Sequence, residues 1–283
     1  MNYRHAFHAG NFADVFKHAV LARILAALCA KPQAFRVIDT HAGAGLYDLS
    51  GEEASRTGEW REGIGRLMTA SLEEPARDLL APYLAAVAAF NAGGTPRHYP
   101  GSPLIARALL RRQDRLVACE IVPSAAAALE HHLRGDARAR AVTIDGWVAL
   151  NAYVPPKERR GLVLIDPPYE DPDEFSHLAA ALEGAHRKWA TGIYMLWYPI
   201  KDRAGPDLLA RRLVRTGIRK ILRAELERPP EEASDRLVGS GLVIVNPPWT
   251  LAAELETLLP ALRQVLAAHR PGRSEVAWLA REA

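Results

Sequence analysis

A chain of 283 residues with 49% hydrophobic and 24% charged residues has enough apolar material for one large α/β domain and too much for a disordered chain. Two cysteines exclude a disulfide scaffold, and a net charge of +3 permits a nucleic-acid partner without requiring one. Arg4, His5, Asp14 and Lys17 interrupt the first twenty residues where a secretory signal would be apolar, so a cytoplasmic location is expected.

In chain order, NFADVFKHAVLARILAAL (11–28) predicts an amphipathic helix leading into the first strand. Its apolar stretch, 19–30, is too short to span a bilayer and carries Arg23, so no membrane contact is expected. Cys29 and Cys119 stand alone in apolar surroundings and read as buried free thiols. FRVIDT (35–40) predicts the first strand, followed by the glycine-rich turn HAGAG (41–45). Gly43 and Gly45 allow a ligand to approach the backbone, but Asp48 stands where the third glycine of a dinucleotide fingerprint belongs. A cofactor without a pyrophosphate, such as S-adenosylmethionine, suits this turn better.

About seventy-five residues separate the first two strands, too many for one crossover helix, and 48–91 is rich in Ala, Leu, Glu and Arg at helical spacing; a helical insertion at about 48–98 in a single domain spanning 1–283 is predicted. Further strands are expected at 115–120, 140–145, 161–166 and 192–199, separated by helical patterns, as in a parallel sheet. The last two, 218–226 and 241–246, are joined by a loop without helical pattern and predict an antiparallel hairpin. The fold class is therefore α/β, a Rossmann-like seven-stranded, mostly parallel sheet.

Ligands of such sheets bind outside the carboxyl ends of the strands, so Asp39, Glu120, Asp145 and Asp166 should converge on one rim. Glu120 suits both hydroxyls of a ribose. Asp145 suits an adenine amino group, with Gly146 leaving room for the ring, although an Asp after a strand also caps helices. GLVLIDPPYED (161–171) and GLVIVNPPWT (241–250) both run from an apolar strand into Pro-Pro, which stops strand and helix alike. Asp166 with the carbonyl of Pro167 can accept both N–H groups of an exocyclic amine, and Tyr169 can stack on an extruded base. Asn246 ends the last strand of the series and reads as a strand exit. No histidine pair has the i, i+4 spacing of a common zinc site, and no metal is expected. Arg4 and Lys17 read as phosphate contacts or solvated charges, and Trp147, Trp189, Trp197 and Trp278 as core or rim aromatics.

The stretches YRHAFHAGNFADVFKH (3–18), DTHAGAG (39–45), YPGSPLIAR (99–107), DPPY (166–169), ATGIYMLWYP (190–199), TGIRKIL (216–222) and GLVIVNPPW (241–249) together resemble the RlmJ family across nearly the whole chain. The resemblance implies a class I methyltransferase fold, S-adenosylmethionine as cofactor, and the adenine N6 of large-subunit (23S) ribosomal RNA as target. The substrate expected is protein-free RNA or an early assembly intermediate, and the enzyme a monomer. It implies cofactor contacts at His18, His41, Ser102, Glu120, Asp145, Gly146 and Asp166, with Asp166 the catalytic acceptor and Tyr3 a substrate contact. Amino methylation of DNA is the near alternative, set back by the lack of a target-recognition domain. A silent cofactor-binding RNA module and a nicotinamide dehydrogenase fit the acidic strand ends and the glycine turn less well.

Overall fold

The computed structural model describes residues 4–92, 95–228, 237–267 and 272–282. In chain order its elements are α1 (Phe12–Cys29), β1 (Arg36–Asp39), β2 (Leu46–Asp48), α2 (Glu52–Thr57), α3 (Arg66–Thr69), α4 (Ala76–Ala88), β3 (His98–Pro100) and α5 (Ser102–Leu109). Next come β4 (Arg115–Glu120), α6 (Pro123–Leu133), β5 (Ala139–Thr143), α7 (Gly146–Tyr153), β6 (Gly161–Ile165), α8 (Glu174–Lys188) and β7 (Ile193–Ile200). The chain closes with α9 (Ala204–Arg215), β8 (Ile221–Glu227), β9 (Gly239–Val245), α10 (Leu251–Leu266) and β10 (Arg273–Ala280).

Strands form where apolar runs are continuous, because helices cover both faces of a parallel sheet; β6 is buried at every position. The main sheet has the order β10-β8-β9-β7-β6-β1-β4-β5. From β5 to β7 all pairings are parallel, and β9 is antiparallel to both β7 and β8. The expected final hairpin is therefore present, with β9 inserted beside β7. The sheet has eight strands rather than the seven expected. The additional edge strand, β10, pairs antiparallel with β8, and its half-buried side chains leave only a weak alternation in RSEVAWLA.

The first helix corrects a second expectation. It is not amphipathic: α1 buries Asp14, Lys17 and His18 together with its apolar residues, and packs against α4, α5, α10, β6 and β9. Residues 48–98 contain α2, α3 and α4, and Leu80, Tyr83 and Val87 of α4 join the same buried cluster as Phe16, Val20 and Ile24 of α1. The ribbon β2–β3 brings the two ends of this stretch together, Leu46 opposite Pro100 and Asp48 opposite His98. Cys119 is buried and Cys29 half-buried, both as free thiols. No helix among the described residues is long and apolar enough to cross a membrane.

Candidate active site

Because β1, β4, β5 and β6 run parallel, their carboxyl ends share one rim. A cleft of about 1570 Å³ opens there. His18, His41, Ser102, Glu120, Asp145, Gly146, Asp166 and Tyr169 all line it, as does Lys17. Asp39 lies beneath the lining, 1% exposed. Tyr3 falls outside the described residues. Among the described residues no group of three or more His, Cys, Asp or Glu is placed to hold a metal ion.

Glu120 at the end of β4 is fixed by two backbone donors, the Gly43 N–H on Oε2 (2.9 Å) and the Val122 N–H on Oε1 (2.8 Å). The glycine turn is thus tied to the neighbouring strand end, and Gly43 itself takes a left-handed φ of +62°. Asp145 does cap a helix: its Oδ1 accepts from the N–H groups of Trp147 and Val148, both at 3.0 Å, at the start of α7. Both bonds fall on one oxygen, so capping does not use up the carboxylate. Gly146 lines the cleft, and its missing side chain also lets His41 and Thr40 approach its backbone. A Cβ there would lie 2.5 Å from both His41 Nε2 and the Thr40 carbonyl oxygen. His41 Nδ1 shares a 2.8 Å hydrogen bond with the Thr40 hydroxyl, and its ring meets the edge of Trp147.

Asp166 follows β6 directly and meets a partner that the sequence does not single out. Lys17 is 4% exposed, and its Nζ lies 2.5 Å from Asp166 Oδ2 and 2.9 Å from Asp14 Oδ1. Asp14 in turn accepts at Oδ2 from the Gly10 N–H and pairs with His5 Nε2, each at 3.0 Å. Burial works against the charge of Lys17, yet the Asp14 and Asp166 carboxylates raise its pKa above the ordinary lysine range. Burial likewise opposes ionisation of Asp14, but His5 and Lys17 hold it well below the usual carboxylate range. Lys17 is therefore neither a phosphate contact nor a solvated charge. A lysine on a helix face assumed to be wet gives no signal; its i, i+3 spacing from Asp14 is the available one.

Of the histidines that line the cleft, His18 and His41 are neutral. Burial pushes the His18 imidazole down to about 3, and its Nδ1 shares a 2.7 Å hydrogen bond with the Tyr99 hydroxyl. Burial pushes His41 down to about 4. Asp39 moves the other way: burial pushes its carboxyl up to about 7, the hydrogen bond from Ser102 opposes this, and the Asp166 charge adds to it. Ser102 Oγ donates to Asp39 Oδ2 at 2.6 Å. The buried Oδ1 has no hydrogen bond of ordinary geometry, the His41 backbone amide giving the carboxyl only weak support.

A raised acid pKa stabilises the folded state most below the unfolded value, near 4, and that contribution is lost as the pH rises through about 7. The depressed histidines act with the opposite sign between about 3 and 6.5, so comparison with a variant isolates the acid. Asp39→Asn is expected to gain stability relative to the parent on going from pH 5 to pH 8, by about 1–4 kcal/mol. Urea unfolding of both proteins at the two pH values tests this, and a constant difference would contradict it.

The Asp166-Pro167-Pro168-Tyr169 turn is rigid and occupied. Tyr169 has a left-handed φ of +53°, its hydroxyl donates to the Trp197 carbonyl at 2.6 Å, and its ring packs against Phe175 and the edge of Trp197. The second Pro-Pro turn lies elsewhere. Val245 pairs with Tyr194 near the start of β7, which places Asn246 on the rim opposite Asp166. Asn246 Nδ2 donates to the carbonyls of Ala190 and Gly192, both at 2.8 Å, and so secures a strand exit. Of the tryptophans, Trp189 is buried, Trp197 stands 5.3 Å from Lys17 Nζ, and Trp147 joins the rim.

The chain is 43% identical over 282 residues to ribosomal RNA large subunit methyltransferase J of Escherichia coli (strain K12), covering 100% of both. It is 42% identical over 283 residues to the protein of that name from Haemophilus influenzae, again over 100% of both. A crystal structure of a protein from Legionella pneumophila superposes with a TM-score of 0.88 at 34% identity, covering 96% of this chain and 98% of the other. Residues 32–280 match the family described as ribosomal RNA large subunit methyltransferase D, RlmJ, and with full-length relatives above 40% identity the chain belongs to that family.

Proposed function

We propose that this protein transfers the methyl group of S-adenosylmethionine to the exocyclic N6 amine of a flipped-out adenine in large-subunit ribosomal RNA. It does so in the cytoplasm, as a monomer, on protein-free RNA or an early assembly intermediate. The observation that carries the reading is the Lys17–Asp166 pair at the cleft, a carboxylate held by a buried cation at the start of a rigid Pro-Pro turn. Lys17 engages Oδ2, so Oδ1 is the oxygen assigned to the substrate.

The residues present fit the cofactor. Each Glu120 oxygen accepts one backbone N–H and keeps acceptor capacity for a ribose hydroxyl. Asp145 caps through Oδ1 and retains Oδ2 for an adenine amino group. His18 and His41, neutral through burial, add no repulsion beside a cationic ligand. The bound cofactor supplies an electrophilic methyl on a sulfonium centre. The protein's own part is placement: Asp166 Oδ1 and the Pro167 carbonyl accept the two amine N–H groups and favour a pyramidal nitrogen whose lone pair leaves the ring. The proton lost from that nitrogen passes to solvent through the open cleft. Tyr169, its ring fixed from two sides, stacks on the extruded base at a gain of about 1–3 kcal/mol. Tyr3 is assigned to the substrate from the sequence alone.

Glu120→Ala is expected to weaken cofactor binding by about 1–3 kcal/mol, the scale for a lost partner of a buried polar group. Calorimetry reads this directly, and unchanged affinity in a folded variant would remove Glu120 from the ribose. For the reaction itself, the protein is incubated with labelled S-adenosylmethionine, total RNA and genomic DNA, and the labelled polymer is digested to nucleosides. Label in N6-methyladenosine from large-subunit RNA is expected; label confined to DNA would overturn the reading.

A further inference from the structure

The reaction uses one Pro-Pro turn; the other is a strand exit whose last residue, Trp249, is left without a role. Asn246-Pro247-Pro248-Trp249 is as firmly built as its counterpart: besides its two side-chain bonds, the Asn246 backbone N–H donates to the Lys220 carbonyl at 2.9 Å. The two prolines stiffen the turn between Asn246 and Trp249. Trp249 ends it, 93% exposed, against 55% for the next most exposed large hydrophobic residue described. Scattered apolar residues on a surface are ordinary, but an indole displayed almost entirely to water on a pinned turn has no packing role.

The segments that Asn246 ties together carry basic residues. The Asn246 bonds join the start of β7 to the start of β8, and the chain leading to those points carries Arg187 and Lys188 in the last turn of α8 and Arg219 and Lys220 before β8. Cations at a helix C-terminus complement its dipole, which accounts for Arg187 and Lys188. It does not account for Arg219 and Lys220, which lead into a strand. Arg187 pairs with Glu183 at 3.9 Å and Lys220 with Glu282, both at the surface, where such pairs are weak and exchange readily for phosphate.

We propose that this rim is a second RNA-contact surface, in which Trp249 stacks on an unpaired base and Arg219, Lys220 and Arg187 meet the flanking phosphates. The proposal rests on ribosomal RNA being the substrate. An aromatic platform between cations is the arrangement that holds single-stranded nucleic acid without reading its sequence. The rim lies on the opposite edge of the sheet from Asp166, with on the order of 17 Å of strand between them. It therefore engages parts of a long RNA remote from the methylated base.

The test uses two RNAs, a full-length large-subunit transcript and the shortest trimmed transcript that the parent protein still methylates. For Trp249→Ala combined with Arg219→Glu, affinity for the full-length RNA should fall about tenfold. The dependence of log affinity on log salt should become shallower by about one for the lost cation. Affinity and single-turnover rate on the short RNA should not change, and Trp249→Phe should bind like the parent. Unchanged affinity for the long RNA, or equal losses on both, overturns the second surface while leaving the active-site assignment standing. Failure of the parent protein to methylate either RNA overturns the functional reading first and this surface with it.

Discussion

Replacing Asp166 with alanine is expected to lower the single-turnover methyl-transfer rate by about a hundred- to a thousandfold, the scale for removing one preorganised group aimed at a reacting centre. Asn246→Ala should cost less than about tenfold, or about 1.4 kcal/mol of barrier. The two turns share nearly the same sequence, so chemistry alone does not separate them; an asparagine carbonyl also accepts from an amine. Position and bonding separate them. Asp166 ends a parallel strand at the cleft, whereas Asn246 ends an antiparallel one at the other rim and commits its side chain as a donor to Ala190 and Gly192. Rates on RNA for both variants, with circular dichroism confirming the fold, decide the matter. The reverse ranking would mean that the turns have exchanged roles.

Much of this arrangement is legible because it depends on strand periodicity. A short apolar run ending in a carboxylate identifies both the strand and the side of the sheet on which that carboxylate lies, so Glu120, Asp145 and Asp166 reach the cleft as the strand order requires. The Asn246 exit is legible for the same reason, given an antiparallel last hairpin. Tertiary packing imposed on a helix is not legible. The pattern of α1 gives no hint that it lies under α4, α5 and α10, so Lys17 reads as solvated when it is the counter-cation of Asp166. Strand β10 escapes notice because half-buried positions on an edge strand weaken the alternation that marks it. The close approach of His41 and the Thr40 carbonyl to Gly146 is likewise a tertiary feature that the sequence does not announce.

Lys17→Met is the change from which the largest combined loss is expected. It keeps the aliphatic stem of the side chain and deletes the one cation shared by Asp14 and Asp166, so two carboxylates lose their common partner and Asp14 keeps only His5 and the Gly10 N–H. Breaking a buried pair from one side costs about 3–5 kcal/mol, because the remaining charge stays desolvated. Chemical denaturation should show that loss, and methyl transfer should fall with it. Destabilisation alone does not prove that Lys17 positions Asp166, so the deciding measurement is the double variant Lys17→Met, Asp14→Asn. Removing the second charge takes away the repulsion, and stability should return by about 2 kcal/mol or more. Asp166 still lacks the Nζ contact that fixed Oδ2, so the single-turnover rate at saturating RNA and cofactor should stay low while cofactor affinity approaches that of the parent. A rate that recovers in step with stability would show that Lys17 supports the fold and leaves the orientation of Asp166 to the turn itself.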